Sequence, residues 1–240
     1  MGHRDTVVSL AMSPLDDTFF SGSLDSTVRL WDLRTDSCQG LLRVSGQPSI
    51  AFDNTGSVMA CASESDKMQL LDMRVLDKGP FLTFRFTDPL TQGATCLQFS
   101  NDGAHILVCS RVSDGLYLID AFDGSLVTTW RVPGVSGWRE AAFSPDALYV
   151  AAGGNDGATL TTSPQPPHPN HPSPTSLPSG KIYIWSHTQL SEKPVTVLGH
   201  QGDGHPFSVS AVRWNPTKCM LASGCRALVW WIPREDPMQE

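Results

Sequence analysis

Long apolar runs are missing from this sequence. None approaches the roughly 20 consecutive apolar residues that a membrane-spanning helix needs, so no membrane association is expected. No secretory leader is expected either, because Met1-Gly2-His3-Arg4-Asp5 leads into an alternating segment and not an apolar run. A surplus of positive charge is also missing. Lys and Arg number 17 against 24 Asp and Glu, a net charge of −7. Direct nucleic-acid binding through the phosphate backbone wants a basic face, so none is expected. The six cysteines (Cys38, Cys61, Cys96, Cys109, Cys219 and Cys225) include no C-x-x-C pair, which removes the usual zinc and thioredoxin-like readings. Three of them lie in strand-like apolar stretches, and all read as reduced thiols of the cytosol or nucleus. A phosphate-binding loop is absent, since Gly180-Lys181 lacks the G-x-x-x-x-G-K-[ST] frame. His168 and His171 have metal-compatible spacing but no further ligands. No cofactor and no metal are expected.

What is present is repetition. With 240 residues, 40% of them hydrophobic, the chain can bury the core of one large all-β domain over 1–240. One unit begins at Gly2-His3 and runs through Val7-Val8-Ser9-Leu10-Ala11-Met12, then Thr18-Phe19-Phe20-Ser21-Gly22-Ser23, then Thr27-Val28-Arg29-Leu30-Trp31. Turn chemistry separates the segments: Ser13-Pro14, Asp16-Asp17 and Asp25-Ser26. β-Branched and aromatic residues fill them. The pattern recurs, with decay, four more times. Its closing apolar residues are Trp31, Leu71, Ile119, Trp185 and Trp231, in steps of 40, 48, 66 and 46 residues. The long step contains the segment 158–179, and removing those 22 residues leaves 44. A period of about 40–45 with four strands per unit is the signature of the WD-repeat β-propeller. The predicted fold is therefore all-β, with about five four-stranded blades, the first and last of them incomplete.

In complete repeats of this kind a His, a Ser or Thr, an Asp and a Trp form one hydrogen-bonded group. His3, Ser21, Asp25 and Trp31 fit those places. The Asp would hold the imidazole, the imidazole would reach the hydroxyl, and the hydroxyl would meet the indole N–H, as buried polar groups require. The set resembles a Ser/His/Asp triad. However, the Asp sits in a hairpin turn, a Trp completes the network, and no G-x-S-x-G elbow surrounds Ser21. The expectation is a structural role and no catalytic residue. A propeller hydrolase or lyase would need carboxylates, His or metal ligands converging on the channel mouth, and none stand out beyond the repeat turns.

More specific matches follow. The stretch Met12-Ser13-Pro14-Leu15-Asp16-Asp17-Thr18-Phe19 leads to Ser21-Gly22-Ser23-Leu24-Asp25-Ser26-Thr27-Val28-Arg29-Leu30-Trp31-Asp32-Leu33-Arg34. With Cys38-Gln39-Gly40, Asp77-Lys78-Gly79-Pro80-Phe81, Phe99-Ser100-Asn101-Asp102-Gly103 and Ile119-Asp120-Ala121-Phe122, it resembles one WD-repeat family from Gly2 to about Pro233. This is the family of the WD-repeat subunit shared by the COMPASS histone methyltransferase and transcription-termination machinery; a plant member is anthesis promoting factor. The resemblance implies a nuclear adaptor: a non-catalytic scaffold that holds methyltransferase-complex subunits near transcribing RNA polymerase II. It also implies a link to the polymerase's phosphorylated C-terminal tail, and a nuclear location with a cytoplasmic pool as the alternative.

The sequence departs from that family in length and in one insertion. Five units stand where the family has seven, so the chain reads as an N-terminally truncated member, with a truncated or mis-spliced product lacking independent function as the competing reading. The segment 158–179 is Pro-rich and interrupts a hairpin whose flanks, Asp156-Gly157 and Lys181-Ile182, would otherwise join directly. Pro cannot donate to a ladder. A disordered or polyproline-II loop is expected there, with P-x-x-P frames at Pro164 to Pro167 and Pro169 to Pro172. Propellers bind partners through rim loops. The candidate rim residues are Arg4 and Leu24 in the first unit, Trp138 and Arg139 before the fourth, and His205 and Phe207 before the fifth. Exposed Trp, Phe and Arg are common interface anchors, although each could instead pack between blades.

Overall fold

The computed structural model describes residues 2–35, 37–63, 66–86, 93–110, 112, 115–135, 138–155, 180–199, 205 and 207–233. The insertion 158–179 lies outside the described residues. Five antiparallel sheets follow one another along the chain. The first contains β1 (Val7–Met12), β2 (Thr18–Ser23), β3 (Thr27–Asp32) and β4 (Cys38–Arg43). The second contains β5 (Ser49–Phe52), β6 (Val58–Ala62), β7 (Lys67–Asp72) and β8 (Leu82–Arg85). The third contains β9 (Ala94–Phe99), β10 (His105–Ser110), β11 (Gly115–Asp120) and β12 (Leu126–Trp130). The fourth contains β13 (Ala141–Phe143), β14 (Tyr149–Asn155), β15 (Gly180–Ser186) and β16 (Thr196–Leu198). The fifth contains β17 (Ala211–Trp214), β18 (Leu221–Gly224) and β19 (Leu228–Trp231). Each sheet is a meander of sequence neighbours, the topology of a propeller blade in a WD-repeat fold. The first blade has its full four strands, contrary to the expectation that both terminal blades are incomplete. The fifth has three among the described residues.

The inner strands β1, β5, β9, β13 and β17 lie beside one another in that order. Successive side chains on a strand point to opposite faces, so each blade offers one face to the blade before it and one to the blade after. Four apolar seams result. Phe20 and Val28 meet Ile50, Met59 and Leu71 between the first two blades. Met68, Leu70 and Phe84 meet Phe99, Ile106 and Ile119 at the next seam. The third seam joins Leu107, Leu116 and Leu118 to Trp138, Val150 and Trp185. The fourth joins Ala151 and Ile182 to Val209, Val212 and Leu221.

Polar contacts fix the relative height of the blades. The Asn54 side-chain amide donates to the carbonyl of Asn101 at 2.6 Å, and the Asn101 amide in turn donates to the carbonyl of Pro145. The Phe143 amide donates to Gln98 Oε1 at 3.0 Å, and Val212 N–H donates to Glu140 Oε2 at 2.8 Å. The strand that follows the insertion is tied down at its first residue. Gly180 N–H donates to the His205 carbonyl at 2.8 Å, and His205 N–H returns a bond to Gly180 O at 3.1 Å. Only glycine allows this approach, because a Cβ at position 180 would lie 2.1 Å from the Phe207 carbonyl oxygen.

Candidate functional site

The first blade builds its polar group from three elements. His3 comes from the segment leading into β1, Ser21 from β2, Asp25 from the β2–β3 hairpin and Trp31 from β3. The indole N–H of Trp31 donates to Ser21 Oγ at 2.7 Å, and Ser21 Oγ lies 2.6 Å from His3 Nε2. His3 Nδ1 lies 3.1 Å from Asp25 Oδ2. An indole N–H can only donate. Ser21 therefore accepts from Trp31, and because an ionised carboxylate only accepts, His3 Nδ1 carries a hydrogen toward Asp25 while Nε2 meets the Ser21 hydroxyl. Asp25 also accepts from the Thr27 hydroxyl at 2.6 Å and from the Arg4 amide at 2.9 Å. Burial raises the pKa of this carboxyl, but the bonds from Thr27, Arg4 and His3 outweigh that and hold it far below the usual carboxylate range.

Such an arrangement fastens the hairpin to the chain entering the blade. Ser21 is buried and its oxygen is engaged on two sides, so a reacting substrate has no line of approach to it. Asp25→Ala should leave buried donors unpaired and cost on the order of 1–3 kcal/mol, read as a drop in melting temperature. The pH dependence has a definite sign. The carboxyl pKa is lower in the folded chain, so its contribution is complete above the unfolded value, about pH 4, and is lost as acid titrates the folded carboxylate. The gap between parent and variant should therefore narrow below about pH 4. An equal gap at all pH values would remove the ionised carboxylate from the account.

The fifth blade carries a second group of this kind. His205 Nε2 lies 2.6 Å from Ser223 Oγ, and Trp231 Nε1–H donates to the same oxygen at 2.7 Å. Cys225 Sγ stands 3.2 Å from His205 Nδ1, where the first blade has its aspartate. Only part of the first blade's spacing is kept: His3 precedes Ser21 by 18 residues, and His205 precedes Ser223 by 18.

The candidate rim residues divide. Arg4, Leu24, Arg139 and Phe207 are exposed, and the guanidinium of Arg226 lies 4.5 Å above the Phe207 ring. Arg226 in the β18–β19 hairpin and the exposed Val112 in the β10–β11 hairpin correspond to Leu24 in the β2–β3 hairpin and extend the candidate set. Two candidates must be withdrawn from it. Trp138 is fully buried in the third seam, its ring 5.7 Å from Tyr183 and 5.8 Å from Trp185 in edge-on packing. His205 is buried as well, held inward by Ser223 and the bridge to Gly180. Among the described residues, no three His, Cys, Asp or Glu side chains are grouped to hold a metal ion.

Comparison with known proteins agrees with this architecture. The family described as WD domain, G-beta repeat matches residues 1–32 and 192–227. WD repeat-containing protein 82 of Drosophila melanogaster is 38% identical over 237 residues, covering 98% of this chain and 66% of that protein. Anthesis promoting factor 1 of Arabidopsis thaliana is 35% identical over 239 residues, covering 98% and 62%. The Set1 complex component swd2 of Schizosaccharomyces pombe is 32% identical over 251 residues, covering 96% and 69%. The chain thus spans just under two thirds of the length of the first two relatives. Identity along nearly the whole sequence leads to one conclusion: this chain belongs to the WD-repeat family that includes the Set1 complex component swd2 and anthesis promoting factor.

Proposed function

We propose that the protein is a non-catalytic scaffold, an adaptor subunit of a nuclear histone lysine methyltransferase complex of the Set1/COMPASS kind, coupled to RNA polymerase II transcription. The observation that carries this reading is the 32% identity to the Set1 complex component swd2 over 96% of the chain. The site geometry supports it, since the polar group of the first blade is buried and engaged while Arg4, Leu24, Arg139, Phe207 and Arg226 are exposed. Arg4, Leu24, Arg139 and the Phe207–Arg226 pair form the binding rim for complex subunits. Arginine pairs well with phosphate through its planar fork of donors, so the same rim suits the phosphorylated tail of the polymerase.

Affinity purification of the tagged protein from nuclei, followed by mass spectrometry, should recover a Set1-type methyltransferase and its companion subunits. The double substitution Arg4→Glu and Leu24→Asp should reduce that recovery at least about tenfold, as expected when interface anchors are lost, with the melting temperature unchanged. A purification that recovers no methyltransferase subunit sinks the assignment. A folded double variant that recovers them as well as the parent removes this rim as the site.

A further inference from the structure

In a meander, successive connections fall alternately at the two ends of the strands. The β2–β3 hairpin with Leu24 lies at one end, together with the segments before β1 and β13 that carry Arg4 and Arg139. The β5–β6, β7–β8, β9–β10 and β11–β12 connections lie at the opposite end. There, between the second and third blades, an apolar groove of about 330 Å³ opens, with Val58, Leu70, Phe99 and Ala121 lining it. Phe81, from the β7–β8 connection, and Phe122, from the β11–β12 turn, line it too, and they are 57% and 76% exposed. This exposure does not come from the ends of the arc, because both blades have a neighbour on each side. The backbone under each ring is fastened. Phe81 N–H donates to the Leu70 carbonyl at 3.0 Å, and Phe122 N–H donates to Asp120 Oδ1 at 2.7 Å. Large rings left in water on a fixed backbone are anchors already in place, and they lose little freedom on binding. The stretches 77–81 and 119–122, by which the sequence resembles its family, each end on one of these rings, yet neither ring belongs to the seam beside it.

Charge selects the occupant. The chain around the groove, 53–57, 72–81, 100–104 and 120–125, carries Asp53, Asp72, Asp77, Asp102, Asp120 and Asp123 against Arg74 and Lys78. Arg74 is held by Asp72 through two bonds, at 2.9 and 2.7 Å. Hydrogen bonds from Ser100 and Ser125 keep the Asp102 and Asp123 carboxyls below the usual carboxylate range, so both are ionised at neutral pH. A surface of this sign repels the phosphates of nucleic acids and of anionic membranes and draws in cationic chains. We propose that this groove docks a basic peptide segment of a partner protein, rich in lysine or arginine, with an apolar side chain seated beside Phe81 and Phe122. The volume suits that occupant, being at the small end of the range for a whole ligand. The cationic residues on either side of the apolar anchor meet the carboxylates of the two blades. Exposed apolar surface rimmed by charge is the usual form of such a docking site. It stands at the opposite end of the strands from the rim that carries Arg4 and Leu24, and so is a second surface.

The test is fluorescence anisotropy of the purified 240-residue chain with a labelled synthetic peptide in which lysine pairs alternate with single leucines. Two matched peptides carry glutamate in place of lysine, or serine in place of leucine. The lysine–leucine peptide should bind at least about tenfold more tightly than either. Phe81→Ala with Phe122→Ala should weaken its binding at least about tenfold, and Asp77→Lys by about threefold or more. Phe122→Ser, at the more exposed ring, serves where the double variant does not fold. No binding overturns the proposal, and so does equal binding of the glutamate or the serine peptide, because charge and apolar anchor are both required. A folded double variant that binds as well as the parent overturns it too, since the peptide then sits elsewhere, as on the apolar faces at the ends of the arc. Self-association of the chain that disappears in the double variant would place a second copy in the groove and has the same consequence. Purified chain and synthetic peptides are the only components, so each of these outcomes is independent of the methyltransferase assignment.

Discussion

Trp185→Ala should lower the stability of the protein by about 3–5 kcal/mol, the range for truncating a buried aromatic side chain. Trp185 is fully buried at the third seam. Its ring lies 6.0 Å from those of Trp130 and Tyr183 and 5.8 Å from that of Trp138. Its indole N–H donates to the Glu192 carbonyl at 3.2 Å, which pins the connection between β15 and β16. Truncation would remove the common partner of three aromatic rings and release that connection. In repeat architectures each unit contacts only its neighbours, so the loss cannot be shared by distant blades. At roughly 2–4 °C per kcal/mol for a chain of this size, the melting temperature should fall by about 6–20 °C. Trp185→Phe should lose less than half as much, because most of the apolar surface stays in place. An alanine variant that melts within about 2 °C of the parent would show that the seam does not hold the blades together.

The blades were legible where strand and turn chemistry coincide. Trp31, Trp185 and Trp231 each close a run of alternating apolar residues, and Ser13-Pro14, Ser144-Pro145 and Asn215-Pro216 mark the preceding turns. The outer strands were harder to read. Thr196–Leu198 is three residues long and partly exposed, and Leu82–Arg85 is four, so neither shows a period that sequence alone can register. The first-blade group was legible because His3, Ser21, Asp25 and Trp31 keep all four residue types. The fifth-blade group was not, because Cys225 stands where a carboxylate is expected and the step from Ser223 to Trp231 is 8 residues against 10 from Ser21 to Trp31. Trp138 illustrates a different limit. A loop aromatic can turn outward or inward, and what decides is the room beside it. Here Gly154 leaves that room: a Cβ at position 154 would lie 2.5 Å from Val135, 3.1 Å from Tyr183 and 3.2 Å from Trp138. Hydropathy along the chain does not register a space that a glycine on another strand provides.

The bare 240-residue chain should associate with itself at micromolar concentration. The first and fifth blades each have a face with no neighbouring blade against it among the described residues. On the first, Leu10, Met12 and Leu41 are exposed; on the fifth, Leu228 and Trp230 are, followed by Ile232. The interior seams show how such faces behave when a neighbour is present, since Phe20 and Val28, on the other side of the first blade, are buried. The outer edge of β19 adds backbone donors and acceptors that no strand pairs among the described residues. Unpaired edges bearing large apolar side chains recruit further strands unless charge or cover prevents it, and here a second copy of the chain supplies both an edge and an apolar face. Size-exclusion chromatography with light scattering should therefore return a mass above the 26.0 kDa of one chain, rising with concentration. Leu10→Lys with Trp230→Lys places a charge on each face and should bring the mass back toward one chain. Deleting 158–179 should change the association little, because none of the exposed residues on these two faces lies in that segment. A parent chain that stays at 26.0 kDa across that concentration range would mean that these faces tolerate water, and the association argument would fall.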